Sequence, residues 1–143
     1  MLSDMQTKTK PIICAKEESL RLAADLLGKD DNVIFALIFG SFSKGRQKAD
    51  SDLDMAIFFK TPPEGLDLLF YRSRLSEQTG TEVDLTVLNR ASAFLRHQVM
   101  KYGYSLLIKD RSIYSRFREK TIYDYQEYQF LSGMDVYDRQ KAE

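Results

Sequence analysis

The sequence predicts a single α+β domain that closes on a helical C-terminal segment. Three observations carry that expectation: an unbroken apolar run at 33–39, two stretches at 52–59 and 82–88 in which apolar and polar residues alternate, and helical spacing of apolar residues around them. At 143 residues the chain has the length of one domain with a real core. Hydrophobic residues are 43% and charged residues 29%, with 21 basic against 21 acidic side chains, a balance that argues against a general nucleic-acid binder. The single cysteine, Cys14, excludes an internal disulfide and fits a reducing compartment. No apolar stretch approaches the roughly 18 residues of a membrane span. The expected setting is therefore the cytoplasm, without a membrane partner.

Residues 1–12 read as a flexible leader and 13–143 as the domain, with its C-terminal helical segment at about 110–136. Leu20, Ala23, Ala24 and Leu27 recur at helical spacing within 17–27, and Gly28 supplies a stop. The run at 33–39, bounded by Asn32 and Gly40, suits a strand covered on both faces. Leu53, Met55, Ile57 and Phe59 then alternate with Asp52, Asp54, Ala56 and Phe58, so the second strand begins with two carboxylates on one side. After the break at 61–65, a helix at 66–77 offers Leu66, Leu69, Phe70 and Leu75 to the core. Val83, Leu85 and Val87 face one way on the third strand, and Glu82, Asp84 and Thr86 the other. A helix at 91–101, a short strand at 103–108 and a tyrosine-rich helix from 110 complete the chain. Tyr114, Phe117, Tyr125 and Tyr128 fall near one stripe of that last helix, a pattern that docks it on the core or presents it to a partner.

The chemistry concentrates between residues 38 and 54. Gly40 to Gly45 has the spacing of a Walker loop, but Arg46 and Gln47 stand where Lys and Ser/Thr are required. Asp50, Asp52 and Asp54 start like a calcium loop, but Met55 replaces its glycine and Thr61 its bidentate glutamate. What survives is a strand ending in Gly40-Ser41 and an Asp-x-Asp at the start of the next strand. Glycine lets a backbone approach a ligand closely, Ser41 adds a hydroxyl, and unpaired N–H groups at a following helix start attract phosphate. Asp52 and Asp54 project from one face, and Mg²⁺ held between them and substrate phosphates resolves their mutual repulsion. Asp84 would complete a three-carboxylate site, in which two ions stabilise the attacking and leaving oxygens of an in-line displacement. Lys44 is placed to neutralise phosphate charge, with Arg46 and Lys48 read as solvated. Asp50 reads as a turn residue, and His97, the lone histidine, as a hydrogen-bonded structural group.

Gly40-Ser41, ten intervening residues, Asp52-Leu53-Asp54 and then Asp84 resemble the nucleotidyltransferase superfamily that includes DNA polymerase β-like enzymes. The run from Phe39 to Asp54, with Leu95-Arg96-His97 onward to Ile108, looks most like its minimal members of the MntA antitoxin type. The likeness covers the chain from about residue 30, and Ala49 departs from it where many relatives carry proline. The resemblance implies the nucleotidyltransferase fold, a mixed β-sheet flanked by helices. It implies an enzyme that uses ATP with Mg²⁺ and transfers AMP to a tyrosine of a cognate HEPN-family toxin, HepT, silencing it. In such a protein Gly40, Ser41 and Lys44 would hold the triphosphate, Asp52 and Asp54 the metals, and Asp84 would act as third ligand or as base. Two alternatives stay open: a non-catalytic antitoxin that neutralises by binding, and a nucleotidyltransferase acting on a small-molecule hydroxyl.

Overall fold

The computed structural model describes residues 11–39 and 53–142, with side chains from 17 to 39 and from 53 to 133. Its order is α1 (Pro11–Gly28), β1 (Val33–Phe39), β2 (Leu53–Phe59), α2 (Gly65–Thr79), β3 (Val83–Val87), a 3-10 turn (Leu88–Arg90), α3 (Ala93–Tyr102), β4 (Tyr104–Ile108) and α4 (Arg111–Ala142). Helix α1 thus starts ahead of the first residue with clear helical spacing, Glu17. Four strands form one mixed sheet in the order β3-β2-β1-β4. Strand β1 is antiparallel to both β2 and β4, whereas β2 and β3 run parallel.

The apolar run of β1 explains its central place, because a strand flanked on both sides and covered on both faces can carry no exposed polar residue. Six of its seven residues are buried. A register irregularity between Val33 and Phe35 turns both Ile34 and Phe35 toward the same layer. On β2, Leu53, Met55, Ile57 and Phe59 point into one layer with Ala23 and Leu27 of α1 and Leu75 of α2. Ala56 points into the opposite layer with Phe35, Leu37, Val99 of α3 and Phe117 of α4, and Phe58 packs against it.

Helix α2 departs from its expected orientation. Leu66, Leu69 and Phe70 are 67%, 52% and 63% exposed, and of the four residues expected in the core only Leu75 is buried. The inward stripe is instead Leu68, Tyr71, Arg72, Leu75, Ser76 and Thr79, at the i, i+3, i+4, i+7 spacing of one helix face. Its polar members pass as surface residues in sequence, yet each finds a partner. The Thr79 hydroxyl donates to the Leu75 carbonyl at 2.7 Å, and the Tyr71 hydroxyl donates to Asp30 Oδ2 at 2.9 Å.

Helix α4 begins at an Asp110 cap, whose Oδ1 accepts the Ile113 N–H at 3.1 Å. Its first half docks through the expected aromatic stripe. Phe117 meets Phe35 and Phe58 edge-on at 5.2 and 5.3 Å, and Tyr114 meets Phe35 at 4.9 Å. Farther along, Tyr125 stacks on His97 of α3 at 3.6 Å. His97 is therefore structural, as expected, but through stacking: its buried Nδ1 has no hydrogen-bond partner among the described residues. Between these contacts Arg96 donates from Nη1 to Thr121 Oγ1 at 3.3 Å and from Nη2 to Asp124 Oδ2 at 3.0 Å. Hydrogen bonds from Arg96, then Lys120, hold the Asp124 carboxyl below its ordinary pKa.

Two outcomes follow for stability. Leu75→Ala empties a fully buried site and is expected to cost about 2–5 kcal/mol, against under about 0.5 kcal/mol for Leu69→Ala, both read from urea midpoints. The Arg96–Asp124 pair contributes fully above the unfolded carboxyl pKa of about 4, and that contribution is lost as pH falls through the lower folded value. Acid titration of Asp124→Asn followed by circular dichroism should accordingly show a shallower loss of stability on the acid side than the parent protein.

Candidate active site

Residues of β1, β2 and β3 meet at one point of the sheet. Asp54 of β2 pairs with Phe39, the last residue of β1, and on its other side with Asp84 of β3. Register partners on neighbouring strands point to the same face about 4.8 Å apart, so the two carboxylates stand side by side. That face is the one shared with Ala56 and Phe58, opposite the layer of Leu53 and Met55. Asp54 is half-buried and Asp84 exposed, which leaves the pair open on the β3 side. Hard carboxylate oxygens in this arrangement suit Mg²⁺ as its protein ligands. Among the described residues no group of three His, Cys, Asp or Glu side chains gathers to hold an ion. Of the other predicted site residues, Gly40, Ser41, Lys44 and Asp52 lie outside the described residues, as does Asp50. In the chain Gly40 follows Phe39 directly and Asp52 precedes Leu53.

Two devices that sequence reasoning missed fix the position of these strands. The first is on α2. In a parallel pair the backbone groups of alternate residues point away from the partner strand, and at the outer edge of β3 those of Val83 are both taken by α2 side chains. Ser76 Oγ accepts the Val83 N–H at 2.9 Å, and Arg72 Nε donates to the Val83 carbonyl at 2.8 Å. On the inner side the Glu82 carbonyl accepts the Leu53 N–H at 2.8 Å. The residue before Asp84 is thus held from outside and the strand start from inside. Spacing alone could have hinted at this, since Arg72, Ser76 and Thr79 continue the stripe of Leu68 and Leu75.

The second device is Gly103, between α3 and β4. A Cβ there would lie 2.5 Å from the Val99 carbonyl oxygen, 2.7 Å from that of Ile38 and 3.2 Å from Phe39 Cβ. Only glycine lets the end of α3 pass this close to the end of β1. The sequence signal is weak, because a glycine after a helix reads equally well as an ordinary stop.

A mixed sheet flanked by helices, with acids paired across β2 and β3 beside the end of β1, defines a nucleotidyltransferase-type domain. Residues 23–112 match the family described as Polymerase beta, Nucleotidyltransferase, and the chain belongs to that family. A Methanocaldococcus jannaschii homologue, named as a protein adenylyltransferase, is 32% identical over 72 residues, covering 50% of this chain and 77% of the homologue. A crystal structure of a toxin–antitoxin with AMP-PNP superposes at a TM-score of 0.72 and 27% identity over 82% of this chain and 96% of that one. A mutant MntA–HepT toxin–antitoxin structure gives 0.69 and 26% over 87% and 97%. The MNT antitoxin in complex with tri-AMPylated Shewanella oneidensis HEPN toxin shares the fold, at 0.67 and 23% over 85% and 98%. The protein is a nucleotidyltransferase with the fold of these antitoxins.

The α2 anchor makes a local prediction. Ser76→Ala leaves the Val83 N–H unpaired, which is expected to cost about 1 kcal/mol globally while speeding amide exchange most at 83–85. Exchange followed by NMR tests this, and uniform acceleration across the sheet would count against a local anchor.

Proposed function

We propose that this nucleotidyltransferase transfers AMP from ATP to a tyrosine hydroxyl of a cognate HEPN-family toxin, and so acts as its antitoxin. The single observation that carries the reading is the pairing of Asp54 with Asp84 in register across β2 and β3, beside the end of β1. Support for the donor and acceptor comes from similarity to the toxin–antitoxin bound to AMP-PNP, to an MntA–HepT pair, and to a homologue named as a protein adenylyltransferase.

In the proposed reaction the tyrosine oxygen attacks the α-phosphorus of ATP, the bond from that phosphorus to the bridging oxygen breaks, and pyrophosphate leaves. The phenol proton passes to a carboxylate, for which Asp84 is the exposed candidate; its other role is third metal ligand. Asp52 and Asp54 would hold two Mg²⁺ ions, and Gly40, Ser41 and Lys44 would receive the triphosphate. Bound Mg²⁺ supplies charge stabilisation to the attacking and leaving oxygens. A protein acceptor brings its own positioning surface.

A second reading, neutralisation by binding alone, is favoured by one observation. Helix α4 leaves Tyr123 more than 60% exposed within its docked half, and Phe130 and Leu131 equally so beyond it. A third, transfer to a small-molecule hydroxyl, has no such support. The setting is proposed to be cytoplasmic; among the described residues no helix is long and apolar enough to cross a membrane.

Incubation with α-labelled ATP, Mg²⁺ and the co-encoded toxin is expected to label a toxin tyrosine. Asp54→Asn and Asp84→Asn should each reduce labelling by about 10²-fold or more. Toxin that stays unlabelled under saturating Mg-ATP sinks the reading. Full protection of cells by both variants at equal expression would establish the binding alternative.

A further inference from the structure

A cavity of about 380 Å³ opens where α4 crosses the 3-10 turn and the end of β2, away from the Asp54–Asp84 pair. Its apolar wall is Phe58, Ile113 and Phe117, and its polar rim is Arg96, Arg116 and Lys120, with no carboxylate among the lining residues. The volume lies in the range of small-molecule sites.

The charges at this rim do not cancel. Asp124 is the acid that serves it, accepting from Arg96 at 3.0 Å and from Lys120 at 3.1 Å. Arg116 has no hydrogen-bond or ion-pair partner among the described residues. Three cations against one carboxylate leave an excess of two positive charges around a single opening. Arg96 is additionally fixed, because Nε donates to the Ala91 carbonyl at 3.1 Å and its guanidinium lies 6.0 Å from the centre of the Phe117 ring. The neighbouring neutral group is spent as well, since Asn89 donates to the Phe59 carbonyl and accepts the Phe59 N–H. The walls are equally rigid: Phe58 stacks on Phe35 at 5.1 Å and meets Phe117 edge-on.

We propose that this cavity binds an organic phosphate carrying a flat apolar ring, with the ring against Phe58 and Phe117 and the phosphate on Arg116 and Lys120. A dianion matches the excess of two charges, and the Arg fork suits phosphate oxygens. An apolar wall without a hydrogen-bonding group of its own selects a ring over a sugar or a bare ion. Because Phe58 belongs to β2 and Phe117 to α4, the ligand joins the sheet to the docked half of the last helix. The proposal does not rest on the reaction assigned to the Asp54–Asp84 pair.

Phenyl phosphate, titrated into isotope-labelled full-length protein in EDTA and followed by NMR, tests it. The expected result is saturable shifts at Phe58, Arg116, Phe117 and Lys120, with affinity falling at least about tenfold in Arg116→Glu and in Arg116→Gln. Arg116 is exposed, so both variants should keep the parent spectrum elsewhere. Inorganic phosphate and phenol supply the separate arms. Equal affinity for inorganic phosphate overturns the ring contact, and equal affinity for phenol overturns the anion contact. Shifts that do not saturate at millimolar ligand, that centre on Asp54 and Asp84, or that persist unchanged in both Arg116 variants overturn the site.

Discussion

Everything at this site depends on the register of β2 against its two neighbours. The side-chain period of a strand is two, so a slip of one residue between β2 and β3 would turn Asp84 to the opposite face and bring Val83 or Leu85 beside Asp54. The apolar residues prevent it. Leu53, Met55 and Ile57 sit on the same layer as Val83, with Leu85 and Val87 packed against it, and a slip would expose one set or bury the acids. The hydrophobic core therefore sets the carboxylate geometry.

The same constraint explains why the outer edge of β3 needs α2. An edge strand presents unpaired backbone groups and frays unless something covers it. Here Arg72 and Ser76 take both backbone groups of Val83, one residue before Asp84. On the other side of β2, β1 is held at its end by the close passage of Gly103. Strand ends are where loops begin, and loops carry reactive groups only as well as the scaffold positions them. Both devices act at strand ends adjoining the acid pair.

Much of this was legible in sequence, and the exceptions share a cause. The three strands announced themselves because β-branched and aromatic residues in unbroken or alternating runs have few other uses; β1 spans the very run that predicted it. Alternation put Asp54 and Asp84 each on the polar side of its own strand, but their adjacency on one face needed the parallel pairing of β2 and β3, a long-range fact. Helix α2 was misread because apolarity stood in for burial. Leu66, Leu69 and Phe70 looked like a core stripe, while the true one mixes Leu68 and Leu75 with Tyr71, Arg72, Ser76 and Thr79. Polar side chains are buried when a specific partner compensates them, and partners such as the Val83 backbone are invisible until the fold is assembled.

His97 shows the same limit from the other direction. A lone histidine invites an assignment by its titration and hydrogen bonding, but this one is held by its flat face against Tyr125, in a row that continues to Tyr128 and Phe94. That row and the Arg96–Asp124 pair fasten α4 to α3 over two turns, and the helix then continues past its last docking contacts. The helix is thus fixed over its first half, and just beyond its docking contacts it exposes two large apolar side chains. Its first half completes the core over Phe35 and Phe58, while its second half offers Phe130 and Leu131 without altering that core. Changes at the exposed end can therefore be made while leaving the strand register, and with it the carboxylate pair, intact.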